Sequence, residues 1–473
     1  MTLPAQIRPA QIRPAKIRKA VPMTMTRRRA LLLGAALSVS LVAAGCGSPG
    51  SPVPAGESAA PTSAGVSDAD LSKALEAGGS ITVWAWEPTL KQVAADFQAK
   101  YPKVKVNLVN AGTGNDQYTA LQNAIKAGSG VPDVAQVEYY ALPQFALAKS
   151  MTDLTPFGAG KLEGTFTPGP WNSVHAGQAI YGLPMDSGPM ALFYNKEVFD
   201  KYDLKVPATW EEYIASAEKL HKADPKAYIT NDVGDAGFAT SMIWQAGGKP
   251  YTVDGTTVGV NFADPGTQKF TAAWQKLIDG KLLAPVGSWS DAWYKGLGDG
   301  TIATLVIGAW MPANLESGVK AGAGKWQVAP MPQWEAGGKA TAENGGSSLA
   351  IPEAAAAKDL AYAFLKYANV DEGVRTRVDA GAFPATTAQL QDSAFLDKEF
   401  PYFGGQKANQ VLAESAAQVV GGWTYLPFQV YANSVFNDTV GKAYTSATPL
   451  QDGLKAWQDV SVKYGQEQGF TIK

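Results

Sequence analysis

Between residues 81 and 137 the hydrophobic period switches back and forth between strand and helix, and this alternation constrains the fold more than any other feature of the chain. A β-rich run over 81–86 gives way to Leu90, Val93, Ala94 and Phe97 at helical spacing, which Tyr101-Pro102 stops. Val104, Val106 and Leu108 alternate, Tyr118, Leu121 and Ile125 return to helical spacing, and an apolar run follows over 131–137. Strands separated by helix-length crossovers cannot pair as hairpins, so they lie parallel and the crossing helices cover both sheet faces. The expectation is an α/β fold with mostly parallel sheets and helices on both faces. A second region opens on Pro207 and Thr209, with Glu212 completing a capping box and Trp210, Tyr213, Ile214, Ala217 and Leu220 on one helix face. Further helices fit Phe270, Trp274, Leu277 and Ile278, and then Leu360, Phe364 and Tyr367. Residues 302–307 and 326–330 read as strands.

The N-terminus follows other rules. Arg27, Arg28 and Arg29 precede an uncharged stretch over 30–44 that ends in small residues before Cys46. A basic segment, a short apolar segment and small residues at a cleavage point are the parts of a signal peptide. The apolar stretch falls short of the roughly 20 residues that span a hydrocarbon core, so it is expected to be cleaved. Cys46 is the only cysteine of the chain, and its place after Ala43-Ala44-Gly45 resembles a bacterial lipobox, which makes it the expected lipidation site. Thr26-Arg27-Arg28-Arg29-Ala30-Leu31-Leu32 also resembles a twin-arginine signal, so Sec and twin-arginine export both stay open. Residues 6–18 repeat a proline-containing pentad unsuited to a core, and Met23 or Met25 makes a better start. Residues 1–45 are thus read as a signal peptide, and 46–79 as a lipidated N-terminus and flexible tether rich in Ser, Pro, Gly and Ala.

Charge narrows the partners. The chain has 40 basic and 42 acidic residues, but the first 45 residues carry 8 basic and no acidic ones, which leaves 32 against 42. So acidic a protein lacks the basic stripe that nucleic acid needs. About 390 residues remain for the folded part, enough for two domains.

Several short motifs then fall in one order: Ile81-Thr82-Val83-Trp84, Gly130-Val131-Pro132-Asp133-Val134, Tyr181-Gly182-Leu183-Pro184, Leu192-Phe193-Tyr194-Asn195-Lys196, Pro207-Ala208-Thr209-Trp210-Glu211-Glu212, Gly308-Ala309-Trp310, Gly345-Gly346-Ser347-Ser348-Leu349-Ala350-Ile351-Pro352, and Gly381-Ala382-Phe383-Pro384. Together they resemble the family 1 extracellular solute-binding proteins of sugar ABC importers, the maltose-binding-protein-like group, from residue 81 to about 385. The resemblance implies a two-lobe, periplasmic-binding-protein-like fold with hinge-linked, discontinuous lobes. Lobe 1 is expected over 80–187 plus about 303–350, and lobe 2 over about 188–302 plus 351–473. It implies a monomeric receptor, held to the outer face of the membrane by its lipid alone, that captures a carbohydrate between the lobes and delivers it to importer permease subunits. No enzymatic activity, cofactor or metal is expected.

Sugars present hydroxyls at their edges and C–H patches on their faces, so a sugar site needs carboxylates or amides beside flat rings. Of the 13 tryptophans, Trp210, Trp274 and Trp457 sit at helical spacing and read as core. Trp86, Trp244, Trp289, Trp310 and Trp423 lie at strand ends or beside glycines, where a ring can stand in a cleft. Trp86 and Trp310 are expected to approach one opening from the same lobe. Glu87 and Glu138, with Tyr140, follow strands at their cleft-facing ends. Asp186 sits at the expected hinge, as a hydroxyl contact or a solvated turn carboxylate. Asn115 and Asp116 open a helix, where capping competes with ligand contact. Asn344 and Gly345 precede the second crossing.

Two rival functions stay open on residues alone. A retaining glycosidase also pairs carboxylates with aromatics, although nothing in the sequence fixes two carboxylates at the required separation. A receptor for a polyamine or other non-sugar solute is the second. With two histidines, and only Arg375 and Arg377 as arginines after Cys46, a zinc triad or an anion site finds few ligands.

Overall fold

The computed structural model describes residues 65–473. The expected signal segment, the Cys46 lipidation site and the tether up to residue 64 lie outside the described residues. The end of the expected tether is corrected: Asp68–Ala77 forms helix α1. Ser67 and Asp70 cap it reciprocally, Leu71 is buried in the first-lobe core, and Val66 N donates to Pro156 O at 2.7 Å. A capping box followed by a buried leucine is enough to dock a single short helix.

From there the chain follows the alternation read in the sequence. Strand β1 (Gly79–Trp84), helix α2 (Leu90–Lys100), strand β2 (Val104–Val109), helix α3 (Asn115–Ala127) and strand β3 (Val134–Glu138) build a parallel β2-β1-β3 unit. A short helix α4 (Pro168–Ser173) and strand β4 (Leu183–Pro184) complete the outbound half of lobe 1. The chain crosses at residues 186–189 and enters strand β5 (Met190–Asn195). Lobe 2 continues through α5 (Trp210–Ala223), β6 (Thr230–Asn231), α6 (Ala236–Gln245), α7 (Pro265–Asp279), β7 (Leu283–Ala284), α8 (Asp291–Asp299), β8 (Thr304–Gly308), α9 (Met311–Gly318) and β9 (Trp326–Ala329). It returns at residues 343–346 to strand β10 (Ser347–Ala350) and helix α10 (Lys358–Asn369), then leaves a third time through α11 (Glu372–Asp379). Helix α12 (Leu450–Glu467) packs on the second lobe through Leu454 and Trp457.

The two sheets follow one plan. In lobe 1 the order is β2-β1-β3-β10-β4, with the returning strand β10 antiparallel to both neighbours; Ser347 lies opposite Glu138, and Leu349 opposite Leu183. In lobe 2 β7 pairs parallel with β6, a parallel bridge from Tyr228 to Ile302 joins that pair to β8, and the entering strand β5 lies antiparallel between β8 and β9. Each lobe therefore has parallel strands with the crossing strand in fourth place.

This pairing corrects the expected lobe boundaries. Residues 303–346 do not belong to lobe 1, because β8 and β9 occupy both edges of β5. Alternation explains why: Met190 and Leu192 enter one buried cluster, Ala191 and Phe193 the other, and neighbouring Val306 and Leu305 divide in the same way. Each such burial contributes about 1.5–3 kcal/mol for a large apolar side chain. Residues 351–369, expected in lobe 2, return to lobe 1, where Leu360, Phe364 and Leu365 of α10 join its core. Among the described residues no helix is long and apolar enough to cross a membrane.

Candidate ligand-binding cleft between the lobes

A cavity of about 480 Å³ lies between the lobes and falls in the range of small-molecule sites. Lobe 1 gives it Glu138 and Tyr140, at the carboxyl end of β3. Asn344 and Gly345 line it from the second crossing. Everything else comes from lobe 2: the loop after β6 with Asn231, Asp232 and Asp235, the first turns of α6, Trp274, Trp289 and Trp293, the β8 strand, Trp310, and the late segment with Tyr425, Gln429, Asn433 and Asn437.

The ring wall is held by hydrogen bonds to main-chain and amide atoms. Trp310 donates its indole N–H to Asn344 O at 2.8 Å, and Asn344 Nδ2 donates to Ser241 Oγ at 3.2 Å. Gly345 is required there, with φ at 77° and a would-be Cβ 3.2 Å from the Trp310 indole nitrogen. Trp293 donates to Asn231 Oδ1 at 2.7 Å, while Asn231 Nδ2 holds Ser288 Oγ at 3.0 Å. Trp289 stands 46 % exposed at the mouth, its ring centre 5.8 Å from that of Trp310 and tilted 30°. Its φ of 70° is a left-handed conformation that bulky side chains avoid, which marks a constrained site.

Asp232 organises the floor. Its carboxylate accepts Trp274 Nε1 and Tyr444 Oη at 2.8 Å each, and Gly234 N at 2.8 Å. Burial pushes its carboxyl up to about 6 against these three donors, and the nearby Asp235 adds to the rise. Asp235 caps α6 by accepting Phe238 N at 2.8 Å with Oδ1. Its Oδ2 and the Oδ1 of Asn344 have no hydrogen-bond partner among the described residues. On the opposite wall Glu138 Oε2 accepts Tyr118 Oη at 2.8 Å. Burial raises the Glu138 carboxyl, the Tyr118 and Tyr140 hydroxyls oppose the rise, and Asp186 adds to it. The cavity lining holds Glu138, Asp232 and Asp235 and no Lys, Arg or His.

Of the residues singled out in the sequence, Glu138, Tyr140, Trp289, Trp310, Asn344 and Gly345 come together here. The others lie elsewhere, for local reasons. Trp86 is half-buried against the first-lobe core, edge-on to Tyr118 at 6.3 Å, and it does not share a lobe with Trp310, which follows β8. Glu87 caps α2, accepting Leu90 N at 3.2 Å and the Thr89 hydroxyl. Asn115 and Asp116 are exposed in the first turn of α3 and make no capping bond; the N-cap is Gly114. Asp186 is part of the hinge, where Oδ1 accepts Ser347 N at 2.6 Å and burial lifts its carboxyl to about 6. Trp244 is core, 2 % exposed and stacked on Trp423 with ring centres 4.1 Å apart. Trp423 donates to Val420 O and lines a separate cavity of about 90 Å³. Trp210 and Trp457 are buried as expected, and Trp274, expected as core, is buried and also lines the cavity.

Sequence reasoning missed Asn231, Asp232, Asp235, Trp293 and the late polar run Gln429, Asn433 and Asn437. Thr230-Asn231-Asp232-Val233-Gly234-Asp235 carries the signal of a polar, glycine-containing run ahead of a helix, but the strand that opens it, Thr230–Asn231, is two residues long and has no visible period. Among the described residues no group of three His, Cys, Asp or Glu side chains is placed to hold a metal.

Comparison with known proteins agrees with this architecture. Residues 85–375 match the family described as bacterial extracellular solute-binding protein. A lactose-binding protein of Rhizobium radiobacter is 25% identical over 406 residues, covering 80% of this chain and 92% of that protein. The ABC transporter associated binding protein from B. animalis subsp. lactis Bl-04, solved in complex with beta-1,6-galactobiose, is 49% identical with a TM-score of 0.77, covering 83% of this chain and 99% of that one. The galacto-N-biose-/lacto-N-biose I-binding protein from Bifidobacterium longum, in complex with lacto-N-biose, is 26% identical with a TM-score of 0.73, covering 84% of this chain and 99% of that one.

Proposed function

We propose that this chain, which belongs to the bacterial extracellular solute-binding protein family, captures a short neutral oligosaccharide in the interlobe cavity and delivers it to the permease of an ABC importer. The observation that carries this reading is the cavity itself. Four indoles, Trp274, Trp289, Trp293 and Trp310, line one space with the unengaged oxygens of Asn344 and Asp235, and no cation lines it. Rings suit the C–H faces of a pyranose, and free acceptors suit its hydroxyls. An anionic sugar would meet carboxylates and no compensating cation. A polyamine would find those carboxylates, but much of the indole surface would then have no counterpart.

Relatives named for lactose and arabinooligosaccharides, and solved neighbours holding galactobiose and lacto-N-biose, point to the same ligand class. Among these the galactobiose-bound protein, at 49% identity, makes beta-1,6-galactobiose the first probe. We place the mature protein outside the cytoplasm as a monomer, held at the membrane by acylated Cys46 after Sec or twin-arginine export. The family and its neighbours are binding proteins, and we take the saccharide to be released unchanged, without a cofactor.

The test is a thermal-shift panel of neutral mono-, di- and trisaccharides with beta-1,6-galactobiose among them, followed by chromatography of the recovered sugar. A ligand at a hundredfold excess over its Kd adds about 2.7 kcal/mol to native stability, so a hit is plainly visible. Failure of every neutral saccharide to shift the melting temperature, or cleavage of the recovered sugar, would overturn the reading.

A further inference from the structure

Each of the three crossings between the lobes carries a buried or half-buried charged side chain: Asp186 on the first, Glu343 on the second and Arg377 on the third. Arg377 donates to Met185 O at 2.6 Å and to Asn369 Oδ1 at 3.2 Å, which fixes the third crossing to the first. Glu343 does more. Its Oε1 accepts the Ser187 hydroxyl at 2.8 Å and Gly188 N at 2.5 Å, so the carboxylate of the second crossing grips the backbone of the first. The next residue, Asn344, donates its N–H to Gly188 O at 2.8 Å and takes the Trp310 indole on its own carbonyl. Glu343 O accepts Ser241 Oγ from α6 at 2.7 Å. One side chain thus sets the spacing of two hinge strands and, through Asn344, the place of the ring wall.

Its other oxygen is the unexplained part. Glu343 is fully buried, and Oε2 has no hydrogen-bond partner. What covers it is helix α4 of lobe 1, where a Cβ added at Gly169 would lie 3.5 Å from Oε2 and 3.8 Å from Val419 of lobe 2. A carboxylate oxygen left bare in the interior is costly when charged and much less so when protonated. The cover belongs to the lobe that must move when the cleft opens.

We propose that Glu343 is a positioning residue for ligand capture, tying the two crossing strands together and taking up a proton as the lobes close over it. The proposal rests on the two-lobe capture reading above. The groups that face Glu343 give it no compensating cation: Asp186 comes from the first crossing, Tyr139 from the end of β3 and Tyr425 from the late segment. Helix α4 brings only Gly169, α6 only Ser241, and the charge of Arg377 acts on Asp186 and Tyr139. Burial lifts the Glu343 carboxyl from the ordinary value to about 7, the Asp186 charge adds to the rise, and the Gly188 and Ser187 donors oppose it. With the lobes apart, water reaches Oε2 and the carboxyl returns toward the ordinary range.

The sign follows. Between the ordinary carboxylate range and about 7, the closed form holds a proton that the open form releases. Affinity is tightest below that window, falls as pH rises through about 7, and is flat above it. The stability of the closed form has the same sign, because the unfolded chain also has the ordinary value: the contribution is fully present below that value and is lost as pH rises through about 7, and the open form does not carry it.

The experiment is titration calorimetry of beta-1,6-galactobiose at about pH 5.5 and about pH 8, in buffers of different ionisation heat, where wild type should bind roughly tenfold more weakly at the higher pH and take up protons near neutrality. Glu343→Gln, which resembles the protonated form, should lessen both the proton uptake and the pH dependence near 7, leaving only what Asp186 and Asp232 contribute near 6. Gly169→Ala, whose added methyl would further exclude water from Oε2, should move the affinity midpoint upward. Equal pH dependence in wild type and Glu343→Gln, or none in wild type, would overturn the proposal. Absence of any galactobiose binding would count against the ligand assignment alone, and small-angle scattering of the free protein would then decide. A smaller radius at about pH 5.5 than at about pH 8 that Glu343→Gln removes supports the latch, and the same change, or none, in both proteins refutes it.

Discussion

The two lobes share a sheet plan and differ in what they place at the strand ends. In lobe 1 the carboxyl end of β1 is closed by its own surroundings: Gln136 Oε1 accepts Trp86 N and Glu87 N at 3.1 Å each, and Glu87 turns back to cap α2. Only Glu138 and Tyr140 remain to face the cleft. In lobe 2 the end of β6 opens into a polar loop whose Asn231, Asp232 and Asp235 stay at the cavity, and the chain between β7 and α9 adds Trp289, Trp293 and Trp310. The same architecture therefore makes one lobe the recognition surface and the other chiefly a lid. Lobe 2 recognition is also woven into its core, because Asp232 and Trp274 are at once cavity lining and buried structure.

That contrast predicts a steep order of mutational effects, the largest in lobe 2. Asp232→Ala leaves the Trp274 indole N–H, the Tyr444 hydroxyl and Gly234 N without their shared acceptor, and unsatisfied buried donors cost about 1–3 kcal/mol each. We expect a large drop in melting temperature together with loss of saccharide binding. An Asp232→Ala protein with native stability would show that the floor of lobe 2 is not structural.

Next in size is Trp289→Gly, in which stability and affinity should part. The ring is half exposed, and glycine accepts φ near 70° without strain, so the melting temperature should hold or rise. Affinity should fall by about 1–2 kcal/mol, the usual cost of losing an aromatic anchor. A fall in stability with unchanged affinity would mean that the mouth of the cavity is packing, and the division of labour within lobe 2 would have to be redrawn.

How far all this could be read from the chain divides along the same line. The lobe 1 sheet was legible because β1, β2, α2 and α3 have five or more residues of clean period. The lobe 2 sheet was less so, since β6 and β7 have two residues each and pair through a single bridge with β8. The assignment of residues 303–346 to the wrong lobe has the same origin: an antiparallel crossing strand looks no different in sequence from a parallel one. At the site, residues beside glycines and at strand ends, such as Trp310, Asn344 and Glu138, stood out. Asp232 did not, because its role depends on Trp274 and Tyr444, which arrive from 42 and 212 residues away. The Trp244–Trp423 stack was misread because two rings that bury each other have the same sequence context as two rings that stand in a cleft.

A smaller effect should come from lobe 1. Tyr140→Phe removes a hydroxyl at the cavity beside Glu138 while keeping the ring, and a lost hydrogen bond of that kind is worth about 0.5–1.5 kcal/mol. We expect saccharide affinity to weaken by that amount in titration calorimetry, with a small fall in melting temperature because buried Glu138 loses one of its two tyrosine donors. A loss as large as that of Trp289→Gly would make lobe 1 an equal partner in recognition and dissolve the contrast.

The smallest change in affinity is expected for Trp86→Ala, which makes it the sharpest test of the lid. Trp86 lies two residues past the end of β1, on the side of the lobe that faces the cleft, yet its ring leans on Tyr118 with ring planes at 71° and lies outside the cavity lining. Tyr118 is the link to the site, because its hydroxyl bonds Glu138 Oε2. Without the indole, Tyr118 keeps that bond and its packing against Phe145, with ring centres 5.8 Å apart, so Glu138 should stay in place. Saccharide affinity should therefore stay within about twofold of wild type, less than the roughly 0.5 kcal/mol scatter of a surface substitution. Stability should fall, since the half-buried ring packs on the first-lobe core. A tenfold loss of affinity in Trp86→Ala with Tyr118→Phe unaffected would mean that the ring itself meets the ligand when the lobes close.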